Sequence, residues 1–299
     1  MHLNWGDGHD EIGYSETLVG YEDKHGGPVC FDVDRDGNIY ILDTVNSYIK
    51  IFGQNGDLLE CFALEHSGRE YGYIAVDEKS KNIWHHNPWN RTFSEYTFAG
   101  SLLKTVIYNE QSVSIIPPQF DIWDGQIISG GKVVISEIAS RFGSRGEPVH
   151  EGTIKWVRSR NERFNMNSSE HSRRAYVGLE PEIAENNEQS RPRMLIIDET
   201  GNEDTLIFNE MSRLYHVSFL AEDKHGYLYC LFTYRGIERP SQIRKYDSRM
   251  NLVAKIDSFP SNRDFNFLMT EHLVDENGNV YFMHLSRELG VRVIKWHGG

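Results

Sequence analysis

A chain of 299 residues with 31 Lys and Arg against 44 Asp and Glu has a formal net charge of −13. This argues against a nucleic-acid partner, because nucleic-acid backbones are held by clustered positive potential. The hydrophobic fraction, 39%, is ordinary for a globular chain, and the length suffices to bury a core without metal or disulfide staples.

The three cysteines, Cys30, Cys61 and Cys230, contain no C-x-x-C pair, so neither a zinc knuckle nor a disulfide framework is expected. No run approaches the ~20 apolar residues that cross a bilayer, and no basic and apolar leader opens the sequence. Nucleic acid and membrane are thus not expected as partners. Cytoplasmic residence is the default expectation, and export with removal of a leader is compatible with the same start.

Along the chain, residues 15–22, SETLVGYE, read as an isolated strand. From residue 28 the pattern becomes regular. Val29, Phe31 and Val33, then Ile39 and Ile41, then Ile49 and Ile51, then Leu58 follow period-two spacing, with Asp-Gly and Asn-Gly turns between the runs. Four short antiparallel strands are predicted over about 28–62.

Residues 37–62 lie without gaps over 81–106, an offset of 81 − 37 = 44, matching Asn38 to Asn82, Ile39 to Ile83, Asn46 to Asn90, Gly56 to Gly100 and Leu58 to Leu102. A second unit is therefore expected over 72–108. Spacing places a third over 118–160, around FDIWDGQIIS, and a fourth over 165–208. The signature Asp34-x-x-Gly37-x-Ile39-Tyr40 returns as Asp223 to Tyr229 and as Asp275 to Tyr281, marking units over 215–259 and 266–299.

No segment carries an i, i+3, i+4, i+7 stripe of helical length. About six units of four short strands, at the ~40 to 50 residue period of propeller blades, describe an all-β, six-bladed β-propeller of four-stranded antiparallel blades in a single domain over 1–299. A solenoid or a pair of β-sandwiches is the competing arrangement. The last unit offers three strands, and the strand at 15–22 is predicted to complete it, which joins first and last blades.

The unit resembles the NHL type of six-bladed propeller, through Asp34, Gly37, Asn38, Ile39, Tyr40, Asp43, Asn46, Ile49, Phe52, Gly56 and Leu58, with partial copies in units two, five and six. The resemblance covers about two thirds of the chain and weakens between 107 and 210. It implies a binding scaffold for protein or RNA, or one of the few enzymes of the family, among them zinc-using lyases that act on peptide ends. No catalytic residue carries over, because the matching positions are framework positions.

Asp32-x-Asp34-x-Asp36-Gly37 has the spacing of a calcium-binding EF-hand loop. That loop requires flanking helices and a bidentate Glu at its twelfth position, where this chain has Asp43 between strand-like flanks. A hairpin turn is the better reading.

With the units superimposed, Asp43, Asn87, Phe232 and His284 fall where the second strand runs into its connection to the third. Those connections line one mouth of a propeller channel. A ligand site is expected there from Asp43, Asn87, Trp89, Arg91, Tyr234, Arg235 and His284, with Trp89 set in a loop after Pro88. Asn46, His85, His86, Asn90 and Arg287 share these loops, and the links into the innermost strands add His25, Glu70, Tyr71, Tyr215, His216 and His272.

Several imidazoles meeting beside Asp43 would suit a divalent metal, zinc or calcium, with His216, His272 and His284 as the candidate ligands. Alternatively, each makes a solitary hydrogen bond. His85 and His86 are adjacent strand residues and point to opposite faces.

The segment 139–193 departs from the repeat and holds ten basic against eight acidic residues, 10 − 8 = +2. It reads either as an Arg clamp for an anionic ligand or as a solvated loop pair. No P-loop, G-x-S-x-G, H-E-x-x-H or G-x-G-x-x-G motif occurs. Two functional readings follow: a scaffold that binds a small molecule, peptide, glycan or protein partner at the mouth, or a metal-assisted lyase or hydrolase with an axial histidine site. A purely structural assembly module is the third.

Overall fold

The computed structural model describes residues 1–16, 26–64, 72–77, 81–87, 90, 92–107, 120–123, 126–129, 132–133, 138–142, 148–152, 166–169, 174–179, 193–197, 203–208, 214–234, 241–257, 265 and 271–297; for 120–205, 214–216 and 218 the description is of the backbone alone. Every regular element among these residues is a strand, and none forms a helix long and apolar enough to cross a membrane.

The first strand, β1 (His2–Leu3), is followed by a four-stranded antiparallel sheet of β2 (Cys30–Val33), β3 (Ile39–Asp43), β4 (Tyr48–Phe52) and β5 (Leu58–Ala63). The next sheet contains β6 (Tyr73–Asp77), β7 (Asn82–Asn87), β8 (Thr92–Thr97) and β9 (Leu102–Ile107). Three strands follow as one sheet, β10 (Phe120–Trp123), β11 (Gln126–Ser129) and β12 (Lys132–Val133).

The hairpin of β13 (Ile138–Phe142) and β14 (Pro148–Gly152) does not extend that third sheet. It adds to the second, where β14 pairs in parallel with β9. This departs from a unit spanning 118–160, and the exposed outer edge of β9 gives the physical opening for it.

Two further four-stranded antiparallel sheets comprise β15 (Met166–Ser169), β16 (Arg174–Leu179), β17 (Arg193–Ile197) and β18 (Glu203–Ile207), then β19 (Leu214–Glu222), β20 (Leu228–Tyr234), β21 (Gln242–Tyr246) and β22 (Leu252–Asp257). The last is β23 (His272–Val274), β24 (Val280–Ser286) and β25 (Gly290–Trp296), with β1 on its outer side.

The repeated signature is a turn between the first two strands of a sheet. Asp34 Oδ1 accepts the Asn38 N–H at 2.8 Å, and its Oδ2 accepts Asn38 Nδ2 and the Tyr40 hydroxyl, both at 2.9 Å. Asp275 does the same for Asn279 and Tyr281. Asp223 receives the N–H groups of His225 and Tyr227 and the Tyr229 hydroxyl.

Gly37, Gly226 and Gly278 stand at φ values of 77°, 79° and 78°, where a Cβ is disfavoured. Of the acidic ladder in the first copy, Asp34 is therefore turn chemistry, while Asp32 Oδ2 accepts the Val76 N–H at 2.7 Å and Asp36 lies 3.9 Å from Lys81. Neighbouring turns touch: Lys224 N donates to Glu276 O at 2.8 Å and Arg35 pairs with Glu276 at 3.1 Å.

The first sheet buries both of its faces. On one, Cys30, Tyr40, Leu42, Ile49 and Ile51 pack with Tyr73, Ile83, Trp84 and Phe93 of the second sheet. Its opposite face, with Phe31, Ile39, Ile41 and Phe52, packs with Tyr281, Met283, Leu285, Val291 and Val293 of the last. Every residue of β3 is consequently buried, which is why its sequence, IYILD, is apolar almost throughout.

The outer place on the last sheet is taken by β1, not by residues 15–22. His2 pairs with Arg292 and Leu3 with Val291; Ser15 makes an isolated bridge to Gly26, and 17–22 lie outside the described residues. Leu3 fits there because it joins the same core as Val291 and Phe31.

From β1 the chain crosses to the first sheet and is fastened by a buried ion pair. Lys50 Nζ lies 3.0 Å from Asp43 Oδ2, with the lysine side chain 2% exposed and the aspartate 0%. Lys50 also donates to the carbonyls of Gly8, at 3.1 Å, and Glu11. Asp43 accepts the Gly13 N–H at 3.0 Å and Asn46 Nδ2 at 3.0 Å, and Asn46 Nδ2 reaches Gly6 O at 3.1 Å.

Lys50→Met strands the Asp43 carboxylate in the core, so urea unfolding should show a loss of about 3–5 kcal/mol. A loss under about 1 kcal/mol would show that the pair carries no such weight.

Candidate functional site

Four second strands end together in the repeat frame: β3 at Asp43, β7 at Asn87, β20 at Tyr234 and β24 at Ser286, two residues beyond His284. Thr44 and Leu285, the residues that follow Asp43 and His284, both approach Gly27. Thr44 Oγ1 donates to Gly27 O at 3.0 Å, while a Cβ at Gly27 would stand 3.5 Å from Leu285 Cδ1. One loop thus touches the ends of both strands.

The individual positions differ in what they offer. Asp43 is engaged with Lys50, Asn46 and Gly13, so its carboxylate fastens the amino-terminal segment. Asn87 repeats part of this: its Oδ1 accepts the Asn90 N–H at 3.0 Å, as Asp43 Oδ1 accepts that of Asn46 at 3.2 Å. Both residues shape the turn.

Tyr234 belongs to a polar network with two residues of β21. Its hydroxyl donates to Gln242 Oε1 at 2.9 Å and accepts from an Arg244 terminal nitrogen at 2.7 Å, while the Arg244 guanidinium lies 4.2 Å from the Phe232 ring centre. This stacking holds the charge against an aromatic face.

On the last sheet, His284 Nδ1 lies 3.3 Å from an Arg292 terminal nitrogen. His272 pairs in register with Phe282, whose ring centre is 5.0 Å from His272 and 6.3 Å from His284. Residues 282 and 284 share a sheet face, so the two imidazoles are diagonal neighbours across β23 and β24.

Burial lowers the His272 pKa to about 4, and burial together with the Arg292 charge lowers that of His284. His86 is lowered to about 3, first by burial and then by His85. It stacks on Phe93 at 4.4 Å and Tyr73 at 6.0 Å, as a core ring does.

Trp89, Arg91 and Arg235, with His25, Glu70 and Tyr71, lie outside the described residues. His216 pairs with Thr233 in β19 and β20, and its side chain is likewise outside the description, as is that of Tyr215. Among the described residues no three His, Cys, Asp or Glu are grouped to hold a metal ion.

Two features of this end escape a linear reading. Arg292 meets His284 only once β24 and β25 are paired, although the alternation of GVRVIKW carries the signal. Trp5, Tyr14 and Phe265 form an aromatic group with ring centres 5.3, 5.6 and 6.3 Å apart, and Trp5 Nε1 donates to Ser286 O at 2.8 Å. Those three rings come from distant parts of the chain.

No family model matches the sequence, and no curated protein matches it either. Among solved structures, the chain is similar to a member of the DUF4221 family from Bacteroides vulgatus, at 12% identity and a TM-score of 0.54, over 90% of this chain and 92% of that one. It is also similar to a catalytically inactive virginiamycin B lyase from Staphylococcus aureus with quinupristin, at 12% identity and a TM-score of 0.51, over 95% and 88%.

The fold is propeller-like. At such identity the likeness concerns the backbone arrangement and not the chemistry.

The histidines predict an acid response. In the unfolded chain they take up protons near pH 6.5, whereas in the fold His272 and His86 resist until about 4 and 3. Stability should therefore fall on acidification below pH 6.5, by about 1.4 kcal/mol per pH unit per group. In urea titrations at pH 6, 5 and 4, His86→Phe should lose stability less steeply than the parent; parallel slopes would count against this origin.

Proposed function

We propose that the chain is a six-bladed propeller of the NHL-repeat kind, one domain over 1–299, that binds a small molecule, peptide, glycan or partner loop at the mouth formed by the second-to-third strand connections. The observation that carries this reading is the placement of the Asp43 and His284 strand ends against one loop, with polar side chains gathered around them. Support for a closed ring comes from β1 on the outer edge of the last sheet and from the core that the first and last sheets share.

Within the mouth, roles divide. Asp43 and Asn87 set the turns, and Tyr234, Arg235 and His284, with Trp89 and Arg91, present the binding groups. Tyr234 and Arg244 supply a hydroxyl and a guanidinium already ordered against Phe232, which lowers the entropic cost of engaging a ligand. Labelled protein applied to arrayed glycans and arrayed peptides should retain a set of hits. In the Arg235→Ala, His284→Ala double variant these should weaken about tenfold or more, with a melting temperature within about 2 °C of the parent. Unchanged hits would remove the mouth as the binding site.

A second reading is favoured by the diagonal pair His272 and His284, both kept neutral in the fold and thus competent as metal ligands or as a general base. With His216 as third ligand, they would bind zinc or calcium in a metal-assisted lyase or hydrolase. Elemental analysis of untagged protein should then find about one metal per chain, lost in His272→Ala. Metal-free protein that takes up neither ion would end this reading.

A further inference from the structure

The sequence contains two Asn-Gly dipeptides, Asn55-Gly56 and Asn277-Gly278. Each lies in a turn at the strand ends remote from Asp43 and His284, so their chemistry is independent of the mouth. An asparagine before glycine is open to attack on its own side chain, because glycine has no Cβ to shield its backbone nitrogen.

Both asparagines are exposed, but their turns are held differently. The Asn277 N–H donates to Asp275 Oδ1 at 2.9 Å, and Asn277 Oδ1 accepts from Lys224 Nζ at 2.6 Å. Its neighbours are braced as well. Glu276 O accepts the Lys224 N–H at 2.8 Å, the Glu276 carboxylate pairs with Arg35 at 3.1 Å, and a Cβ on Gly278 would strike Tyr229 Oη and Asp223 Oδ2.

The Asn55 side chain, by contrast, has no hydrogen-bond partner among the described residues. Its turn is closed by backbone bonds, from Gly53 N–H to Asp57 O at 2.9 Å and from Gly56 N–H to Gly53 O at 2.8 Å. Ring closure requires the side chain to swing onto the following nitrogen and that N–H to leave its carbonyl, so the cost of opening the turn sets the rate. Asn55 meets that condition more cheaply than Asn277.

The Asn55 turn also adjoins the clasp. A Cβ on Gly56 would stand 3.2 Å from Met1 Cγ. Met1 in turn pairs both ways with Val293: its ammonium donates to Val293 O and its carbonyl accepts the Val293 N–H, each at 3.1 Å.

We propose that Asn55 is a site of spontaneous deamidation, and that its isoaspartate product loosens the hold of Met1 on β25. The Gly56 nitrogen, on losing its proton to solvent, bonds to Asn55 Cγ; the Cγ–Nδ2 bond breaks and ammonia leaves, closing a succinimide. Water then opens the ring at either carbonyl, giving aspartate or isoaspartate. Isoaspartate adds a methylene to the main chain of a turn whose next residue packs against Met1.

Full-length protein incubated at mildly alkaline pH, then mapped by mass spectrometry with isoaspartate-specific methyl labelling, tests the site. In the native state Asn55 should convert about threefold or more faster than Asn277. In denaturing urea, where neither turn persists, the two rates should converge. Asn55→Gln should abolish the fast conversion. Native Asn277 converting as fast as Asn55, or native Asn55 staying intact while the urea sample converts, would overturn the site.

Hydrogen exchange tests the consequence. The Val293 amide should exchange about fivefold or more faster in the isoaspartate protein, whereas Asn55→Asp, which carries the charge without the added methylene, should match the fresh parent. Unchanged Val293 exchange in the isoaspartate protein, or an equal rise in Asn55→Asp, would overturn the effect on the clasp.

Discussion

A lysine buried at 1% exposure organises the way this chain begins and ends. Lys50 has to be charged, compensated and out of water at once, and only the combination of the Asp43 carboxylate with the carbonyls of Gly8 and Glu11 allows it. Satisfying Lys50 fixes the path of residues 6–13 over the first sheet. That path in turn delivers β1 to the open edge of the last sheet, where the edge is protected against pairing with other chains.

The repeated residues serve the frame. Asp34, Asp223 and Asp275 each gather a following N–H and a tyrosine hydroxyl, and burial together with the adjacent carboxylates raises the pKa of Tyr229 and Tyr281, keeping both as donors. Conversely, the residues with chemistry to offer are those in which the copies differ. Where the first sheet has Asp43, the others have Asn87, Phe232 and His284. A scaffold built this way can vary the far ends of its second strands without disturbing the Asp-x-x-Gly turns, because the two lie at opposite ends of those strands.

Polar groups at that end reach their positions by pairing between strands. Arg244 leans on Phe232 and bonds Tyr234 across β20 and β21, and Arg292 reaches His284 across β24 and β25. Burial and then the Arg292 guanidinium lower the pKa of His284.

Period-two alternation, Asp-Gly turns and the offset of 44 residues were enough to determine strands, antiparallel hairpins and all-β architecture, because these depend on neighbours within a few tens of residues. The register that puts Asp43, Asn87, Phe232 and His284 at equivalent points of the second strands was legible for the same reason. What each does was not. Asp43 is a clasp residue because Lys50 and Gly13 come to it, and the clasp strand is His2–Leu3 because Leu3, unlike the segment at 15–22, enters the core shared by Phe31 and Val291. Arg292 meets His284 within one hairpin, eight residues away, whereas Trp5 acquires its place against Phe265 only when segments hundreds of residues apart are packed. Local sequence encodes backbone period and turn geometry; which side chains share a dry space is a property of long-range packing, and only the tertiary structure decides it.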